Sequence, residues 1–204
     1  MRKNPVQARA YQTLDDILEA TAQLLETGRG SGLNTNLVAE RAGVSIGTLY
    51  YYFPNKVSLL RSLALREVDR QEKLFLAAIA AARSDGAPAV VRAIVREALT
   101  PLKGRRELRR RLIGHDGFDP SVRSALHAAL NRVTDSLIAA CQFDPASISR
   151  ERRFMLLRSM LGPIRAAALY EPEMLSSPLF EDELVRHAML LLRGNQEPQD
   201  CAQG

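Results

Sequence analysis

Two cysteines, Cys141 and Cys201, are too few for a disulfide framework or a thiol-rich metal site. Long apolar runs are missing too. The longest, Leu74 to Ala82, has nine residues, whereas about 20 are needed to span a bilayer. Behind Met1-Arg2-Lys3-Asn4-Pro5 there is no apolar stretch of the kind a secretory signal carries. Strand formers are scarce: Val, Ile and Thr together number 26, against 57 for Leu and Ala, a balance that favours helix. Nor is charge concentrated. Of 28 basic residues, 24 of them Arg, and 23 acidic ones, residues 1–70 hold 9 and 7 and residues 71–204 hold 19 and 16. The net charge of +5 is compatible with nucleic acid but marks no face. These absences predict a soluble, cytoplasmic, helical protein with no membrane association.

The chain is long enough, at 204 residues and 46% hydrophobic, for one large domain or two small ones. Breakers divide it into about nine helices and no strand: Leu14 to Glu26, Thr35 to Ala42, Ile46 to Phe53, Asn55 to Arg83, Ala89 to Leu102, a basic one from Arg105 to Ile113, Ser121 to Phe143, Ser149 to Tyr170, and Phe180 to Arg193. The helix through Gly162-Pro163 is expected to be distorted, because proline removes an amide donor. The fold class is therefore all-α. The expected domains are 10–70, 71–193 and a flexible tail, 194–204.

Chemistry concentrates between Thr35 and Lys56. Two short helical patterns are joined at Gly43, which can supply the positive φ of a sharp turn. Ala39 is small enough for close helix crossing, and Val38, Ala42, Val44, Leu49 and Tyr52 are placed to hold the pair together. Ser45 is a natural N-cap for the second helix. This is the pattern of a helix-turn-helix, whose second helix enters the major groove of DNA. Gly47, Thr48, Tyr50 and Tyr51 face outward, the glycine allowing close backbone approach. Lys56 can meet a phosphate as a point charge, and Thr35 can do the same at the start of the first short helix.

The surrounding residues extend this pattern. Ile17-Leu18, Ala20, Leu24-Leu25 and Gly28 precede Val38-Ala39-Glu40-Arg41-Ala42-Gly43-Val44-Ser45. Gly47-Thr48-Leu49-Tyr50-Tyr51-Tyr52-Phe53-Pro54-Asn55-Lys56 then leads to Leu59-Leu60. Over residues 10 to 66, about a third of the chain, this resembles the DNA-binding domain of the tetracycline-repressor (TetR) family of transcriptional regulators. The resemblance implies DNA contacts, largely to phosphate, at Thr48, Tyr50, Tyr51, Tyr52 and Lys56. Tyr52 departs from the common His or other polar residue. The Gly30-Ser31-Gly32 loop departs as well, with Leu33 in place of the usual aromatic.

For the remainder, the resemblance implies a helical domain that binds an effector and dimerises through its last two helices. The apolar pattern agrees on the dimer. Phe154, Leu157, Leu161, Ile164 and Ala168 form one stripe, and Leu184, Val185, Ala188, Leu191 and Leu192 another, as half of a four-helix bundle requires. The expected effector pocket is lined by Phe75, Ile79, Phe118, Leu126, Leu130, Phe154, Met155 and Tyr170, with Tyr170 and His127 as polar handles. That lining suits a hydrophobic or amphipathic small molecule.

Other signals carry less. His115, His127 and His187 lie in separate segments without metal-ligand spacing, so neither metal nor cofactor is expected. Cys141 belongs to an apolar stripe. The run Lys103 to Arg111, with six basic groups and one acid, reads as a solvated face. No phosphate-binding glycine loop, nucleophile elbow or carboxylate pair points to catalysis. The sequence thus predicts a homodimeric repressor of operator DNA, released by a small molecule. Its rival is a helical binding module without specific DNA affinity.

Overall fold

The computed structural model describes residues 5–27, 33–100 and 119–194. Among them are eight α-helices and no strand: α1 (Pro5–Glu26), α2 (Thr35–Arg41), α3 (Ile46–Tyr52), α4 (Lys56–Ala82), α5 (Ala87–Leu99), α6 (Pro120–Ala140), α7 (Arg150–Tyr170) and α8 (Pro178–Arg193). The expected helix from Arg105 to Ile113 and its basic run, together with Phe118, His115 and Cys201, lie outside the described residues.

Helix α1 starts at Pro5, nine residues before the apolar stripe does. Proline suits a first helical position, since its missing N–H would have no helical partner there. Serine hydroxyls cap α3, α7 and α8 at Ser45, Ser149 and Ser177, accepting from Thr48, Arg152 and Phe180. The expected distortion at Pro163 does not interrupt α7, which continues to Tyr170. Gly162 and Pro163 are both exposed, so the hydrogen bond that proline forgoes is lost where water can replace it.

The described residues form two compact units, 5–68 with 119–125, and 69–100 with 126–194. The chain passes from the first to the second within α4. In the first unit, Ile17, Leu18 and Leu25 of α1 meet Val38 and Ala39 of α2, Leu49 of α3, Phe53, and Leu59 and Leu63 of α4. Arg66 ties α4 to α1 through Asp15 (3.0 Å) and Glu19 (3.2 Å), and Arg61 pairs with Asp119 at 2.8 Å.

The second unit has the larger core. Helix α8 packs on α5 and α7, burying Val91, Ile94 and Val95 of α5 with Leu156, Leu157 and Met160 of α7. Arg92 joins α5 to α8 through Glu181 and Asp182, both at 2.7 Å, and Arg96 reaches Glu181 at 2.9 Å. Cys141 is core, as its stripe predicted, and burial pushes its thiol up to about 11. A thiol so rarely ionised is a poor nucleophile.

This core claims residues expected elsewhere. Leu157, Ile164, Leu184, Val185, Ala188 and Leu192 are buried inside their own unit, Ala188 at 0% exposure. Packing within one subunit already covers most of their surface. Leu161 and Leu191 are half-buried against the same core. Of the nine predicted interface residues only Phe154 is exposed. Besides Phe154, the large apolar residues that α7 and α8 do present are Met155, Leu169, Tyr170, Leu179 and Leu190.

Candidate nucleic-acid interface

The turn between α2 and α3 is built from backbone hydrogen bonds. Val44 N–H donates to Ala39 O at 3.0 Å and Gly43 N–H to Glu40 O at 3.1 Å. Together they close a Schellman motif around Gly43, whose φ is +68°. A Cβ there would touch nothing within 4 Å, so conformation, not space, requires the glycine. Asn34 caps α2 by accepting from Asn36 N–H at 2.9 Å.

Ser45 then opens α3. Its Oγ accepts from Thr48 N–H at 3.0 Å and lies 2.9 Å from Thr48 Oγ1. Leu49 turns inward at 1% exposure, which forces its neighbours outward. Gly47 and Tyr50 are exposed, Tyr51 is 82% exposed, and Thr48 is half-buried. A Cβ on Gly47 would meet only Ser45 Oγ, at an ordinary 3.7 Å. The fold itself therefore tolerates alanine there.

Two predicted contact residues bridge the short helices. Tyr50 Oη lies 3.2 Å from Thr35 Oγ1, so each hydroxyl holds α2 and α3 in register as well as facing outward. Tyr52 is half-buried against the core, with its ring edge-on to Tyr51 and 5.3 Å between centroids. Lys56 is exposed at the start of α4. Thus Thr35, Ser45, Gly47, Thr48, Tyr50, Tyr51, Tyr52 and Lys56 all belong to one short segment, in which Ser45 and Tyr52 have clear structural duties.

Sequence reasoning missed the box that fixes Lys56. Ser58 N–H donates to Asn55 Oδ1 at 2.8 Å, Asn55 N–H to Ser58 Oγ at 3.3 Å, and Ser58 Oγ–H to Asn55 O at 2.7 Å. The pattern Asn-x-x-Ser was the available signal, since it mimics the usual capping box.

The predicted effector residues do not converge. Phe75 and Ile79 are core, and Leu130 packs against it half-buried. Leu126, Met155 and Tyr170 are exposed. Phe154 and Tyr170 stand at opposite ends of α7, roughly 24 Å apart along its axis at 1.5 Å per residue. One small molecule cannot touch both. His127 and Phe154 line a common cavity, of about 430 Å³, with Asn131, Thr134, Asp135, Arg150 and Arg153.

A compact unit that presents a capped, hydroxyl-rich short helix across a glycine turn is a helix-turn-helix module. Comparison with known proteins agrees. The family model described as "Bacterial regulatory proteins, tetR family" matches residues 17–63. Residues 17–63 are thus similar to the DNA-binding domain of bacterial regulatory proteins of the tetR family.

The HTH-type transcriptional repressor KstR of Rhodococcus jostii (strain RHA1) is 50% identical over 54 residues, 26% of this chain and 26% of that relative's length. Likeness over the remainder is structural. A TetR transcriptional regulator from Rhodococcus sp. RHA1 superposes with a TM-score of 0.62 at 23% identity, covering 90% of this chain and 97% of that one. A putative tetR family transcription regulator from Shewanella sp. PV-4 gives 0.59 at 26% identity, covering 86% and 95%. The family is one of transcriptional regulators, not of enzymes. Among the described residues, no helix is long and apolar enough to cross a membrane.

Proposed function

We propose that this protein is a cytoplasmic, dimeric, ligand-responsive regulator that represses transcription by binding operator DNA through α3. The observation that carries the reading is the exposed set Gly47, Tyr50, Tyr51 and Lys56, with Thr48 half-buried among them, on a segment whose inward residues are fully committed to the core. Tyr50 and Tyr51 hydroxyls and the Lys56 ammonium supply phosphate contacts, which position the helix. Gly47 lets the backbone come close to the groove, and Thr48 reaches base edges. The similarity to transcriptional repressors over this segment supports the direction of control.

Each subunit contributes one recognition helix, so the operator carries two half-sites. Dimerisation uses the outer face of α7 and α8. Met155, Ala166, Leu169 and Leu190 are exposed there, and spacings of eleven and three put Met155, Ala166 and Leu169 on one side of α7. A ligand bound in the second unit acts on DNA by favouring one position of α4, the helix shared by both units. Operator and ligand then weaken each other by the same factor.

The test is selection from a random duplex pool, followed by titration at several salt concentrations. Enrichment of a two-half-site sequence, with log affinity falling linearly in log salt, is the expected result. Absence of enrichment together with salt-independent binding would overturn the reading and favour a helical binding module.

A further inference from the structure

The cavity that His127 and Phe154 share is lined mostly by polar groups, unlike the apolar pocket the sequence suggests. Arg158 sits behind it. Its guanidinium donates to His127 Nδ1 at 2.9 Å, to Asn131 Oδ1 at 3.4 Å and to the Phe154 carbonyl at 3.0 Å. The same group lies 4.2 Å from the centre of the Phe154 ring. None of these partners is a carboxylate. Among the described residues no carboxylate comes within ion-pair distance of Arg158, and none pairs with Arg150 in the cavity wall. Partial burial lowers the Arg158 guanidinium from its ordinary value, since desolvation disfavours a cation.

The remaining charges are nearly balanced. Arg153 pairs with Asp135, both lining the cavity. Two guanidiniums are thus left over beside a space of about 430 Å³, within the usual range for small-molecule sites. We propose that this cavity between α6 and α7 binds a small aromatic monocarboxylate, with its carboxylate at Arg150 in the wall, backed by the charge of Arg158 behind His127 and Asn131, and its ring against the exposed part of Phe154. Asp135 in the wall disfavours a dianion. Phe154 is the one large apolar side chain in the lining, which suits a single ring system and not a long alkyl chain. The proposal rests on the functional reading only in calling this ligand the effector.

Binding is measured by calorimetry on the full chain without DNA, using 2-naphthoate, its uncharged amide and 2-naphthyl phosphate. Naphthoate should bind roughly tenfold or more tightly than the amide, the worth of a charge-assisted hydrogen bond, and more tightly than the phosphate. Arg158→Gln and Arg150→Gln, each checked for an unchanged melting temperature, should weaken naphthoate and leave the amide unaffected. Equal binding of acid and amide, tighter binding of the phosphate, or no heat at millimolar naphthoate would overturn the proposal. So would full affinity in both variants. Because no DNA is present, failure here leaves the DNA reading intact. Failure of the DNA reading likewise leaves the cavity measurement valid.

Discussion

The two units differ in how far apart in sequence their decisive contacts lie. In the first, the turn that aims α3 is made by residues three to five apart, such as Gly43 with Glu40 and Val44 with Ala39. In the second, Arg92 and Glu181 are 89 residues apart, and the α5–α8 contact is the largest helix pairing among the described residues. Local hydrogen bonds leave local signatures. Long-range burial leaves only an apolar stripe, which does not say what it is buried against.

The sharpest way to break this comparison is to place charge on two faces of the same pair of helices. Ala188→Glu buries an unpaired carboxylate in the second core, a penalty of several kcal/mol on the scale of the whole stability. It should abolish cooperative melting, followed by circular dichroism. Leu169→Glu, on the exposed face of α7, should leave the helix signal intact and shift sedimentation from dimer to monomer. A folded monomer from Ala188→Glu would return the interface to the buried stripe.

Next in size is Lys56→Ala. It should weaken binding to all DNA sequences alike and reduce the salt slope by about 1. The melting temperature should stay unchanged, because the side chain is exposed. Anisotropy titrations at four salt concentrations check this, and an unaltered slope would remove Lys56 from the interface.

Two glycines separate conformation from contact. Gly43→Ala must force a Cβ into a left-handed residue, costing roughly 1–2 kcal/mol. Its denaturant midpoint should fall, and DNA affinity with it. Gly47→Ala is already helical and unobstructed, so stability should rise by up to about 1 kcal/mol while operator affinity drops. If Gly47→Ala binds as well as the parent, close backbone approach plays no part.

The smallest effect is expected at Ser45. Removing its cap in Ser45→Ala should cost about 1 kcal/mol, seen as a lower melting temperature. Thr48 would also lose its neighbour at 2.9 Å. A change in base preference beyond the general loss of affinity would show that Ser45 orients the Thr48 hydroxyl.

The residue order alone was enough for the all-helical class, the helix-turn-helix and most of its outward set. Each of these depends on caps, a positive φ and a period of 3.6 that act within one or two turns. Even the missed Asn55–Ser58 box was visible as a three-residue spacing. Burial direction was not visible. Helix α7 is apolar on both sides, with Leu156, Leu157, Met160 and Ile164 facing the core and Met155, Ala166 and Leu169 facing out. Periodicity shows that such a helix has two apolar faces without ranking them. Packing α7 against α8, with α8 in turn against α5, consumed the broader face, leaving the narrower one exposed. The Arg158 cluster likewise joins His127 and Asn131 across 27 to 31 residues. No sequence spacing encodes that meeting, because it exists only where α6 and α7 come side by side.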